Sequence, residues 1–144
     1  MKFTEMPYER PDLEGFKETS NRLLERITSA ASAPEQIDAY LELEKAVNTA
    51  CSLAYVRHTI NTKDAFYDGE NSYVDEISPA LQEISQKINL ALLASPFRPA
   101  LEERFGKLLF TNLEISVRAM KPEIMDLMQE ENRLQSEYQK LYAS

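Results

Sequence analysis

The residue types that most often perform catalysis or bind metals are scarce in this chain of 144 residues. It contains one histidine, His58, and one cysteine, Cys51. A site that needs two imidazoles therefore cannot be built from this chain alone, and no disulfide can form within it. The apolar helical stripe around His58 predicts a buried, capped or hydrogen-bonded ring, with a functional role as the alternative. Cys51 has no basic residue within a helical turn, which favours a structural thiol over a nucleophile.

Acidic residues dominate the charge of the chain. It has 24 Asp and Glu against 16 Lys and Arg, a net charge of −8, which disfavours binding to nucleic acids or to anionic membranes. One stretch of acids holds no Lys or Arg and lacks the spacing of a calcium loop; its members are Asp64, Asp68, Glu70, Asp75, Glu76 and Glu83. It predicts a solvated face, or alternatively a surface for a basic partner in which Tyr67 and Tyr73 take part.

The composition and the apolar pattern of the sequence exclude other functional classes. Three glycines are too few for phosphate-binding loops or for the tight turns of an all-β fold. No apolar run reaches the roughly 18 residues of a membrane span, and the first residues lack the apolar core of a signal peptide, so a cytoplasmic protein is expected. The residues predict no catalytic group, no cofactor site and no metal site.

The elements that would position these residues all have helical periodicity. The pattern predicts one all-α domain over residues 1–144, an antiparallel bundle of about five helices. After an extended segment at 1–11, the predicted helices cover about 12–31, 34–67, 71–94, 99–120 and 122–142.

Several features of these helices are specific enough to test. Leu53 and Val56 lie in a part of the second helix that is apolar on opposite sides, so we expect this half of the helix to be buried on most sides. Residues 61–62 are expected to loosen that helix and Gly69 to end it. Pro79 is expected to bend a third helix that continues through it, with a new helix start there as the alternative. Gly106 is expected to be tolerated within the fourth helix, at some cost in stability.

Four stretches of the sequence resemble a known family. They are 1–11, the segment Tyr55–Asp68, the segment Ser95–Arg98 and the segment Gln129–Tyr138. In this order they resemble the N-terminal region of bacterial zinc oligoendopeptidases, the oligoendopeptidase F and thimet oligopeptidase group. Asn61 departs from the pattern, since the family favours an acid there.

The resemblance implies a non-catalytic N-terminal helical domain of a longer zinc metallopeptidase that hydrolyses short peptides. The zinc motif of such enzymes lies downstream of this chain. The helical region would form channel wall or lid and would contact the missing catalytic domain. The residues proposed for peptide or inter-domain contacts are Arg57, His58, Asp64, Tyr67, Tyr138 and Tyr142. We also expect Tyr138, Leu141 and Tyr142 to be exposed in this chain, with weak self-association as a consequence.

A second function remains open at this point. An acidic helical module that works alone, binding a partner protein through a groove, has the same composition. The two hypotheses differ in the surface they require, since a domain made to contact another one exposes an apolar patch.

Overall fold

The computed structural model describes residues 5–119 and 125–142 of the chain. The described part is all helical, as predicted, but it contains six helices rather than five. They are α1 (Leu13–Glu25), α2 (Ser32–Ile60), α3 (Ala65–Leu93), α4 (Arg98–Phe105), α5 (Lys107–Ala119) and α6 (Met125–Tyr142). The predicted start of the last helix at Pro122 and the first four residues of the extended segment lie outside the described residues.

α1 is shorter than the predicted helix over 12–31 because a serine hydroxyl binds backbone amides after its last turn. The Asp12 carboxylate caps its start by accepting a hydrogen bond from the Gly15 amide at 3.0 Å. At the other end, the amides of Thr28 and Ser29 donate to the Ser32 hydroxyl at 3.1 and 3.0 Å. These side-chain bonds offer the backbone an alternative to the helix, so the chain turns before α2 begins.

The break between the second and third helices lies earlier than predicted. It covers residues 61–64, not the region of Gly69, and α3 contains Gly69 in its first turns. The Asp64 carboxylate explains the position, because it accepts hydrogen bonds from the amides of Phe66 (3.0 Å) and Tyr67 (3.3 Å) at the start of α3. α3 then runs without interruption through Pro79, which confirms the predicted continuity.

Gly106 divides the predicted helix over 99–120 into α4 and α5. Its φ of +85° and ψ of 153° belong to a region that is essentially open only to glycine. Arg98 joins the two helices across this break, donating from Nε to Glu102 at 2.7 Å and from Nη2 to Glu114 at 3.0 Å. The expectation that Gly106 lies inside a helix is therefore wrong.

The core is formed by the first five helices. Its buried residues are Phe16, Ala33, Ile37, Tyr40, Ile88, Leu92, Leu101 and Phe110. Burial of a large apolar side chain contributes roughly 1.5–3 kcal/mol. α2 and α3 form a long helical hairpin at the centre, and the described side chains of α6 add nothing to the buried set.

The second half of α2 is buried on one side only. Leu53 is 4% exposed, as expected, but Tyr55 is 46% and Ile60 71% exposed, and Val56 is only partly buried. One side of this part of the helix therefore faces solvent, so burial extends less far around the helix than predicted. Among the described residues, no helix combines the length and apolar character that a membrane span requires.

Candidate functional site

The N-terminal segment, residues 5–12, is held against the helical hairpin by a buried carboxylate. Glu70, in α3, is 3% exposed. It accepts hydrogen bonds from the Tyr8 hydroxyl at 2.7 Å and from the Arg10 Nε at 3.0 and 3.2 Å, and Arg10 Nη2 completes a paired contact. The hydrogen bond from Arg10 is the main reason that the pKa of Glu70 is lowered. Burial, followed by the bond to Glu70, raises the pKa of the Tyr8 phenol.

Two further side chains bind the backbone of the same segment. Arg57 Nη2 donates to the carbonyl of Met6 at 2.6 Å, and its Nη1 donates to the Tyr67 hydroxyl at 2.7 Å. The Tyr73 hydroxyl donates to the carbonyl of Pro11 at 3.0 Å. Arg57 and Tyr73 thus each satisfy a carbonyl of the segment that no helix satisfies, which fixes the path of the segment.

A second polar cluster joins α3 to α6, and we call it the α3–α6 contact. The Ser136 hydroxyl donates to Asp75 Oδ2 at 2.6 Å, and the Asn71 amide lies 3.3 Å from both of these oxygens. Lys140 Nζ lies 2.8 Å from Asp68 Oδ1. Burial raises the pKa of Asp75, and the hydrogen bond from Ser136 opposes this rise.

His58 lies next to this contact and is fully buried. Its Nδ1 is 3.8 Å from Asp68 Oδ1, which is too long for a hydrogen bond. Neither ring nitrogen has a hydrogen-bond partner among the described residues. The burial agrees with the sequence prediction, whereas the predicted hydrogen bond is not found.

An open cleft of about 440 Å³ separates α3 from α6. Its lining includes Asp75, Glu76, Arg133, Ser136 and Lys140. Arg133 is already paired with Glu130 and Glu137 on its own helix. The residues that line the cleft are all of polar or charged types, and its basic side chains are engaged with neighbouring acids.

The structure brings together some of the predicted contact residues. Arg57 and Tyr67 touch each other beneath the N-terminal segment, and Asp64 is occupied as the cap of α3. Tyr138 and Tyr142 form a separate stacked pair on α6, with ring centroids 6.2 Å apart. Both are exposed, at 66% and 84%, and so is Leu141, at 74%, which confirms the predicted exposure.

The acidic run is mostly engaged within the protein, in contrast to the predicted solvated face. Asp64 caps a helix, Asp68 pairs with Lys140, Glu70 binds Arg10 and Asp75 binds Ser136. Cys51 is partly buried, and burial raises the pKa of its thiol, as suits a structural role.

Sequence reasoning missed Glu70 as a binding residue, although a signal was present. The apolar stripe of α3 includes Val74, Ile77, Leu81, Ile84 and Ile88, and a step of four residues back from Val74 reaches Glu70. An acid on the buried stripe requires a partner. The identity of that partner, Arg10, could not be deduced because it lies 60 residues away in the chain.

The residues described do not fit a zinc site. In the ranges 5–119 and 125–142, no group of three or more His, Cys, Asp or Glu side chains comes close enough to hold a metal ion. Ser136 also contacts a carboxylate and not the imidazole that a serine nucleophile would need. What this arrangement does is hold the N-terminal segment and α6 in place.

Comparisons with known proteins agree on one family. A family model described as the peptidase M3 N-terminal domain matches residues 3–120. A structure of Pz peptidase A with an inhibitor is 35% identical, with a TM-score of 0.89, over 95% of this chain and 25% of that chain. A structure described as an oligoendopeptidase F is 38% identical, with a TM-score of 0.88, over 96% of this chain and 25% of that chain.

A third structure, described as an oligoendopeptidase F from Bacillus anthracis str. Ames, is 35% identical with a TM-score of 0.89. The match covers 96% of this chain and 26% of that chain. No curated protein matches this chain. The chain thus spans about a quarter of the length of the structures it matches.

Proposed function

Because this chain belongs to the peptidase M3 N-terminal domain family, we propose that it serves as the non-catalytic N-terminal helical domain of a metallopeptidase that hydrolyses short peptides. The observation that supports this most directly is the extent of the matches. They cover nearly all of this chain and only 25–26% of the relatives. In this proposal the zinc, the residues that bind it and the peptide-cleaving step belong to the remaining region, and the whole protein acts in the cytoplasm.

The proposed role is that of a rigid channel wall or lid which also contacts the catalytic region. The buried core of α1–α5 and the bonds that hold the N-terminal segment both support rigidity. A rigid wall admits short flexible peptides and excludes folded proteins by size. Arg57 and Asp64 are engaged within the domain, so of the proposed contact residues the exposed Tyr138 and Tyr142 are the better placed to meet another surface.

A chimera tests this role directly. The matched quarter of the Bacillus anthracis relative is replaced by this chain, and cleavage of a short fluorogenic peptide is measured. We expect cleavage by the chimera and none by the 144-residue chain alone. A chimera that unfolds cooperatively but cleaves no peptide would contradict the proposed role, because this domain would then not support the activity of such an enzyme.

A further inference from the structure

The outward face of α6 carries an apolar stripe, which we call the α6 stripe: Leu127, Leu134, Tyr138 and Leu141. Leu127, Leu134 and Leu141 recur at every seventh position, with Tyr138 between the last two. At roughly 100° per residue, all four fall within an arc of about 60°. Their exposed fractions are 68%, 51%, 66% and 74%, respectively. This is the spacing of a helix that packs along another helix.

The opposite face of α6 is polar, and this is the face that contacts the rest of the protein. Ser136 lies nine residues from Leu127, about 180° around the helix. It binds Asp75, while Lys140 pairs with Asp68 and Gln139 donates to the Tyr55 hydroxyl at 2.8 Å. A surface helix normally buries its apolar face against its own domain. α6 does the reverse.

The extent of the family model gives a reason for this reversal. The model for the N-terminal domain ends at residue 120, before α6 begins. The matched structures contain about three times more chain than the part this protein covers. α6 therefore lies outside the matched N-terminal domain, and the relatives contain a large further region whose apolar core it could join.

From these observations we infer that α6 is the first helix of the catalytic region and that the α6 stripe packs against an apolar helix face in the part of the peptidase that follows. The α3–α6 contact is then a polar interface between two regions, which matches the more polar character of inter-domain surfaces. In this inference the single domain expected over 1–144 is divided: α1–α5 form the N-terminal domain, and α6 belongs to the catalytic region. The inference rests on the proposed function.

Charge favours an apolar occupant over a basic peptide. Glu130 and Glu137 lie beside the stripe, and both pair with Arg133. These acids are therefore already balanced by a cation of the same helix. The stripe offers apolar area, and a partner would gain little from positive charge there.

Two matched double variants test the inference. L134Q/L141Q removes two leucines of the stripe, and L108Q/I115Q changes two exposed apolar residues of α5 that have the same spacing of seven. Each is placed in the 144-residue chain and in the chimera with the Bacillus anthracis relative. The unfolding midpoint is measured in both, and peptide cleavage in the chimera.

We expect L134Q/L141Q to leave the midpoint of the 144-residue chain within about 2 °C and to lower that of the chimera by about 5 °C or more. L108Q/I115Q should lower the unfolding midpoint of the chimera much less. The inference is overturned if both pairs lower the midpoint of the chimera equally, or if L134Q/L141Q has no effect there. It is also overturned if the chimera dimerises through α6, which would make a second copy the occupant. An inactive but folded chimera would count against the proposed function, while its midpoints would still test the place of α6.

Discussion

At the scale of single residues, the Glu70 carboxylate lies inside the protein with its side chain 5% exposed, and its partners come from a segment that has no helix of its own. A buried charge is costly unless it is paired and hydrogen-bonded. Arg10 and Tyr8 meet this need, so the cost of burying Glu70 is offset only when the N-terminal segment is in place. One acidic side chain thus couples residues 5–12 to α3.

The pH dependence of stability should distinguish Glu70 from Asp75. The pKa of Glu70 is lowered by Arg10, so its carboxylate stabilises the fold above its unfolded pKa of about 4.3, and this is lost as the pH falls further. The pKa of Asp75 is raised by burial, so its ionisation opposes folding as the pH rises above about 3.9.

We therefore expect Glu70→Gln to lower the unfolding midpoint by several degrees at pH 7 and by less at pH 3. Asp75→Asn should lower the unfolding midpoint less at pH 7 than at pH 3. Thermal unfolding followed by circular dichroism at the two pH values measures both. If the unfolding midpoints of the two variants changed with pH in the same way, the pKa values of the two carboxyl groups would not be shifted in opposite directions.

Leu53 tests the packing of the central hairpin. Because its side chain is 4% exposed, Leu53→Ala should lower the free energy of unfolding by about 2–5 kcal/mol. Leu108→Ala is the control, since Leu108 is 73% exposed and its truncation should change stability by less than about 0.5 kcal/mol. Urea titrations give both values. Equal losses in the two variants would contradict the burial of Leu53.

At the scale of elements, replacing two glycines by alanine should have opposite effects on stability. Gly106 has φ +85°, which side chains rarely adopt, so Gly106→Ala should cost about 1–3 kcal/mol. Gly69 lies within α3, and a methyl group there would meet no atom within 4 Å, so Gly69→Ala should stabilise the protein by about 0.5–1 kcal/mol. The difference is measured by urea unfolding. A stabilising Gly106→Ala would show that α4 and α5 form one helix in solution.

Helical periodicity was enough to predict the class of the fold and most helices, but it did not predict where the helices end. The stripe of α3 predicted its course through Pro79, because the steps of three and four continue on both sides. The start of α3 was missed because Asp64 and Gly69 are both plausible boundary residues, and only the contacts of the Asp64 carboxylate decide between them.

The candidate site was less predictable than the fold, for a physical reason. Arg57, His58 and Tyr67 were singled out, and the structure places them at the segment and next to the α3–α6 contact. Their partners lie far away in sequence: Met6 is 51 residues from Arg57. Long-range polar pairs leave no periodic signal, so only the folded chain reveals them.

At the scale of the whole molecule, α6 differs from the other five helices in the kind of contact that joins it to the rest of the protein. Those five bury apolar side chains in a shared core, whereas α6 is held by polar contacts and turns its leucines outward. A chain with a net charge of −8 has a repulsive surface that opposes association at low salt. The behaviour of the isolated chain in solution therefore depends on the balance between the α6 stripe and this charge.

We expect weak self-association of the 144-residue chain that becomes stronger as salt rises from about 0.01 to 0.15 M, since the screening length falls from about 30 to about 8 Å. L134Q/L141Q leaves the net charge unchanged and should make the chain monomeric at both salt concentrations. L108Q/I115Q should associate like the unmodified chain. Light scattering over a concentration series reports the average mass in each case. A chain that stays monomeric at all concentrations would show that the α6 stripe is too small to hold a second copy. Association that survives L134Q/L141Q would place the contact on another surface, such as the exposed face of α5.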